Sequence, residues 1–232
     1  MIDFNKLSVK KTTDISIYIQ IISLIASSAG ILYELPKEHL IIKDLLVLET
    51  IVQVFELIFY LIFLKNMSKT VTGMAKTRYY DWFITTPTML LTTIAYFEYL
   101  HRLETNGNPF RFTDFIKENQ INIIFITIAN FLMLIVGYLY EIGKIDKNSA
   151  TLLGYIFFLV TFRFIYNNYA QKSEMGKKMF GILFIIWGAY GLAFMLSDIA
   201  KNNIINFLDL FAKNFFGIFL FYQAYKLRLP SM

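Results

Sequence analysis

An all-α membrane protein, built as a bundle of seven transmembrane helices, is the fold this sequence predicts, and three observations carry it. Of the 232 residues, 56% are hydrophobic and 18% aromatic, and the mean hydropathy is positive. Apolar runs of about 20 residues recur along the chain, each long enough to cross a ~30 Å hydrocarbon layer at ~1.5 Å per residue. The connections between runs are short and leave no room for a second folded unit, so residues 1–232 are expected to form a single membrane domain.

The expected spans cover roughly 14–33, 44–64, 77–99, 120–140, 149–169, 178–198 and 203–226. Residues 1–13 are a short polar segment with Lys6, Lys10 and Lys11, lacking the apolar core and small-residue cleavage site of a signal peptide. The first span is then its own insertion signal. Residues 227–232 form a short tail. With no cysteine there is neither disulfide nor thiolate metal site, and His39 and His101 stand apart near expected loops, so no metal centre is predicted. The net charge of +5 is spread over loops on both sides, which fits lipid headgroups and gives no stripe for nucleic acid. Because the basic residues divide almost evenly between the two sides, charge alone does not orient the chain.

Several ionisable residues interrupt this apolar background. Lys213 lies within Phe207-Leu208-Asp209-Leu210-Phe211-Ala212-Lys213-Asn214-Phe215-Phe216, and no other lysine is expected mid-span. At the centre of a membrane helix a charge costs about 2.5–3.5 kcal/mol, so such a residue needs a partner and a reason. Asp209 lies four residues back on the same helix face. In the third span Asp81, Thr85 and Thr92 fall within about 40° of one another, and Arg78 extends that stripe by one turn. The two threonines could equally bond to carbonyls of the preceding turn. In the second span Glu49, Gln53 and Glu56 share a face. The seventh answers with Asn202, Asn206, Asp209 and Lys213, and the first adds Ser16 and Gln20. Carboxylates at such depth are expensive against lipid and cheap along a hydrated path, and acidic linings favour cations. In the sixth span Trp187, Tyr190 and Phe194 line one face.

The Lys213 segment, taken with Arg78-Tyr79-Tyr80-Asp81-Trp82-Phe83-Ile84-Thr85-Thr86-Pro87, resembles the microbial (type 1) rhodopsins. That resemblance covers nearly the whole chain and implies a seven-helix bundle of the microbial rhodopsin type, with its N-terminus outside and C-terminus in the cytoplasm. It implies all-trans retinal bound covalently to Lys213 as a protonated Schiff base. Asp81 would be the primary counterion and proton acceptor, Asp209 the second counterion, and Arg78 the group that balances both. The retinal pocket would comprise Trp82, Thr85, Thr86, Met133, Gly137, Trp187, Tyr190 and Phe194. Gly191 and Phe194 depart from the family's proline and second tryptophan, and Gly191 could leave room near the ring. Asn130 replaces an aspartate and could tie helix four to Thr86 on helix three, or serve only as interhelical glue.

Thr92 stands where outward proton pumps of this family usually carry a carboxylate that returns a proton to the Schiff base, and a threonine has no such proton to give. Glu49 and Glu56, with Asn202, Asn206 and Lys213, are similar to a narrower pattern, that of the group 1 viral rhodopsins, which act as light-gated cation channels. This implies a photoreceptor rather than an enzyme. Its ion pathway would run along Ser16, Gln20, Glu49, Gln53, Glu56, Asn202 and Asn206, with permeant cations or protons and the lipid bilayer as partners. A homo-oligomer is left open. An outward proton pump is the alternative, and a sensory photoreceptor the third reading.

Overall fold

The computed structural model describes residues 3–66 and 72–230; residues 1–2 and 231–232, the ends of the expected polar segment and tail, lie outside them. The helices are α1 (Val9–Ile31), α2 (Leu40–Asn66), α3 (Thr72–Glu104), a short α4 (Phe112–Glu118), α5 (Gln120–Glu141), α6 (Lys147–Asn168) and α7 (Glu174–Phe194). The last crossing has three parts: α8 (Asp198–Asp209), a π-helical turn (Leu210–Asn214) and α9 (Phe215–Leu227). Six crossings are long and apolar enough to span a membrane by length and composition. α3 is not among them, since threonines, tyrosines and charges dilute its apolar run. The crossings pack as a closed ring, α1 on α2, α2 on α3, α3 on α5, and so through α6 and α7 to α8 and α9, which return to α1.

Helix starts follow local chemistry. Asp146 Oδ1 accepts from the Ser149 amide at 3.0 Å and Ser173 Oγ from the Gly176 amide at 2.9 Å, each satisfying a first-turn donor that the helix leaves unpaired. α4 was not expected from the sequence. Its start is held from outside, by Asp44 of α2, which accepts from Arg111 Nε at 2.7 Å and from the Phe112 amide at 3.0 Å.

Burial is inverted relative to a soluble protein. Ile22, Ile25, Ile121, Ile182 and Ile185 are exposed on the outside of the ring, where lipid tails would cover them. The interior holds Arg78, Asp81, Asp209, Lys213, Glu49 and Glu56, all buried. Between α6 and α7 the interior is aromatic: Phe158 and Phe162 have ring centroids 4.5 Å apart, and Phe162 lies 5.5 Å from Trp187. Pairs of this kind contribute about 0.5–1.5 kcal/mol beyond area burial. They fix one side of the bundle, so its polar groups collect on the other.

Candidate functional site

Lys213 is 1% exposed and its Nζ faces three carboxylates. It donates to Asp81 Oδ2 at 2.7 Å and lies 3.9 Å from both Asp209 Oδ1 and Glu56 Oε1. A buried cation is tolerated only with such pairing. The π turn contributes here, because one extra residue rotates the chain that follows by roughly 100°. α8 therefore presents Asn202, Asn206 and Asp209 to α3, while Asn214 and Gly217 meet α1 and α2.

Arg78 anchors a second cluster. Its Nη1 pairs with Asp209 Oδ2 at 3.2 Å, Nε donates to Asn202 Oδ1 at 3.1 Å, and Nη2 to Asn206 Oδ1 at 2.5 Å. The direct ion pair is with Asp209 rather than with both aspartates. Two phenols complete the aspartate's shell: Tyr60 donates to Oδ2 and Tyr190 to Oδ1, each at 2.7 Å. Tyr190, expected only as a pocket wall, is thus also a ligand of Asp209. Tyr60 was not singled out from the sequence, although it lies one turn beyond Glu56 on α2.

An apolar cavity opens at Lys213 and runs between α3, α5, α6 and α7. Trp82, Thr86, Met133, Gly137, Trp187, Tyr190 and Phe194 all line it. Thr85 does not; its hydroxyl donates to the Asp81 carbonyl at 3.0 Å, the local bond open to a helical threonine. Two glycines act differently from expectation. A Cβ at Gly191 would lie 2.7 Å from Tyr155 Cζ, so Tyr155 takes the room that a small residue was expected to leave. At Gly137 a Cβ would run into Tyr79 Oη, which makes this glycine a seat for that phenol as well as a piece of the wall. Asn130 Nδ2 donates to Thr86 Oγ1 at 2.8 Å, joining α5 to α3.

Lys201 also departs from expectation. The sequence places it in an outer segment, yet it is 3% exposed, pairs with Glu141 at 2.9 Å and Asp198 at 3.1 Å, and lines the same cavity. Lys213 differs in facing three carboxylates, Asp81, Asp209 and Glu56, from within a membrane crossing. An apolar wall that ends at the Lys213 amine and its carboxylates fits a hydrophobic, aldehyde-bearing group such as retinal.

On the other side of Lys213 a column of polar groups follows α1, α2, α8 and α9. Ser16 Oγ donates to the Asn206 carbonyl at 3.2 Å, and Ser23 Oγ to the Asn214 carbonyl at 2.9 Å. Asn214 Nδ2 donates to Glu56 Oε2 at 3.0 Å, and Gln53 Nε2 to Ser27 Oγ at 3.1 Å. Glu49 Oε1 accepts from Thr92 Oγ1 at 2.5 Å. Both polar atoms of the Gln20 side chain, Glu56 Oε1, Asn214 Oδ1, Gln53 Oε1 and Glu49 Oε2 are buried without a hydrogen-bond partner within the protein, Glu56 Oε1 having only its ionic contact with Lys213. Asn202 and Asn206, expected on the pathway, both accept from Arg78. Ser23, Ser27 and Asn214 were missed, though Asn214 directly follows the lysine. Glu49 and Thr92, read separately from the sequence, form one pair, which brings a carboxyl to the place where Thr92 alone had none to offer.

Fold and interior together define a seven-helix membrane protein organised around the buried Lys213 amine, its three carboxylates and an apolar cavity. The chain belongs to the bacteriorhodopsin-like protein family, whose model matches residues 11–227. Microbial rhodopsins of this kind generally bind retinal through a Schiff base. Among solved structures, the crystal structure of viral rhodopsin OLPVRII is 25% identical with a TM-score of 0.79, covering 95% of this chain and 99% of that one. The resemblance to viral rhodopsins therefore holds in three dimensions. A blue light-absorbing proteorhodopsin from Med12 is 21% identical at TM-score 0.69, covering 94% of this chain and 96% of its own. Halorhodopsin, a light-driven chloride pump, is 14% identical at TM-score 0.68, covering 94% and 95% respectively. These last two show the shared fold alone. A search of curated proteins found no match.

Proposed function

We propose that this protein is a retinal-binding photoreceptor acting as a light-gated cation channel, one membrane domain with its N-terminus outside and C-terminus in the cytoplasm. Lys213 would hold all-trans retinal covalently as a protonated Schiff base, with the polyene along the cavity between Trp82 and Trp187. When bound, retinal supplies light absorption and a change of shape. The chain's own residues do the rest. Asp81, at 2.7 Å, holds the positive charge at Nζ and is placed to accept its proton, while Asp209, fixed by Arg78, Tyr60 and Tyr190, keeps a second negative charge in place. Asn130 and Thr86 couple movement at the cavity to α3 and α5.

The observation that carries the channel reading is the column of buried polar atoms without hydrogen-bond partners from Gln20 through Glu56 and Gln53 to Glu49. Buried polar groups are normally satisfied, so an array of this length suits a path that takes up water and ions. Current recorded from retinal-reconstituted protein under a known gradient tests it. A passive channel reverses near the cation equilibrium potential, and current of one fixed direction at every voltage would refute it.

The second reading is an outward proton pump, favoured by the Glu49–Thr92 pair, which places a carboxyl beside the expected donor position. Thr92→Asp is expected to speed recovery of the dark absorption after a flash by about a hundredfold, the lower range of what a positioned acid contributes. Unchanged recovery would take residue 92 off the proton path. Asp81→Asn is expected to move the main visible band to the red, because losing the nearest counterion destabilises the cation more before excitation than after it. An unmoved spectrum would transfer the main counterion role to Asp209.

A further inference from the structure

Between Glu56 and Glu49 the polar column changes character. Gln53 lies about one turn from each on α2, is fully buried, and its Nε2 donates to Ser27 Oγ on α1 at 3.1 Å. Its Oε1 has no partner within the protein. Gly217 on α9 faces the same amide: a Cβ there would run into Gln53 Nε2 and lie 2.7 Å from Ser27 Oγ. The glutamine amide thus fills the volume that any other residue at 217 would claim. Three helices meet in this layer, side chain against backbone.

Resting on the channel reading, we propose that Gln53 is the plug of the path. Its amide, seated in the notch at Gly217 and tethered to Ser27, closes the column in the dark, and conduction requires it to swing off that seat. Glutamine suits the task, since a neutral amide on a chain of staggered rotamers can be left half-satisfied at far lower cost than a charge. Displaced from the notch, its Oε1 is an oxygen acceptor for a partly dehydrated monovalent cation passing between the two glutamates. The seat is also coupled to the cavity. Gly217 lies four residues beyond Lys213, about one turn along the same helix, so a shift of the chain at Lys213 moves the notch relative to α2.

The test uses the full chain carrying retinal in liposomes, with dark sodium flux and photocurrent decay recorded and pigment absorbance as the measure of folding. Gln53→Ala is expected to raise dark sodium flux about tenfold and to slow closure, the scale set by losing one closed-state contact of hydrogen-bond size. Gly217→Ala should push the amide off its seat and leak in the same way. Should that variant fail to form pigment, Gln53→Ala alone decides. A purely structural glutamine would lower pigment yield without any dark leak, and that result overturns the plug. Gln53→Ala with wild-type dark flux and closure, beside a wild-type protein that conducts passively, also overturns the plug and leaves the channel standing. A wild-type protein with no passive current removes both.

Discussion

Lys213→Ala is expected to abolish covalent retinal binding and all visible absorption. The amine lies where the apolar cavity meets Asp81, Asp209 and Glu56, and no other group there can form an imine. Removing one partner of a buried ion cluster typically costs about 3–5 kcal/mol, so the variant should also be less stable than the parent. The measurement is the visible spectrum together with the mass of the protein after borohydride reduction, which fixes an imine irreversibly. Lys201 makes this test sharper, because it is a second buried amine on the same cavity. It is held by Glu141 and Asp198, carboxylates that take no part in the Lys213 cluster. Retinal retained in Lys213→Ala and lost in the Lys201→Ala double variant would move the attachment site and overturn the assignment.

Glu56→Ala is expected to reduce photocurrent by about tenfold or more while pigment still forms, since an acidic group in a narrow path governs both cation concentration and hydration there. Glu56 Oε1 is 3.9 Å from Lys213 Nζ, so the variant also removes one of three negative charges near the amine, and a modest colour shift should accompany the loss of current. Glu56→Gln separates the two effects, because an amide retains the size of the side chain and an acceptor for Asn214 without the charge. Current lost in the alanine variant and restored in the glutamine variant would assign Glu56 to hydration rather than to cation attraction. Unaltered conductance in both, at normal pigment yield, would remove α2 from the pathway and leave the proton pump ahead.

Much of this protein was legible in its sequence because the membrane imposes strong, local rules. Apolar runs of about 20 residues mark crossings, and a charge within them is rare enough to stand out. Lys213, Asp81, Asp209 and Glu56 were visible for that reason, and helical periodicity alone put Glu49, Gln53 and Glu56 on one face. The bond from Asn130 to Thr86 was one of two readings that the family motif left open. Residues whose chemistry is ordinary gave no such signal. Tyr60, Ser23, Ser27 and Asn214 are common in membrane helices, and their importance comes from what lies opposite them.

The sequence by itself determined the crossings, the buried amine and its aspartates, since burial in lipid makes each of these costly unless it is part of a site. Only the tertiary structure decided which carboxyl meets which partner: that Arg78 pairs with Asp209, that Glu56 joins the Lys213 cluster, that Glu49 binds Thr92, and that Tyr155 fills the room beside Gly191. The physical reason is that helical periodicity fixes the face of a residue on its own helix but not the depth and rotation at which two helices meet. In the last crossing a π turn of five residues, Leu210–Asn214, resets that rotation, and no apolar pattern announces it.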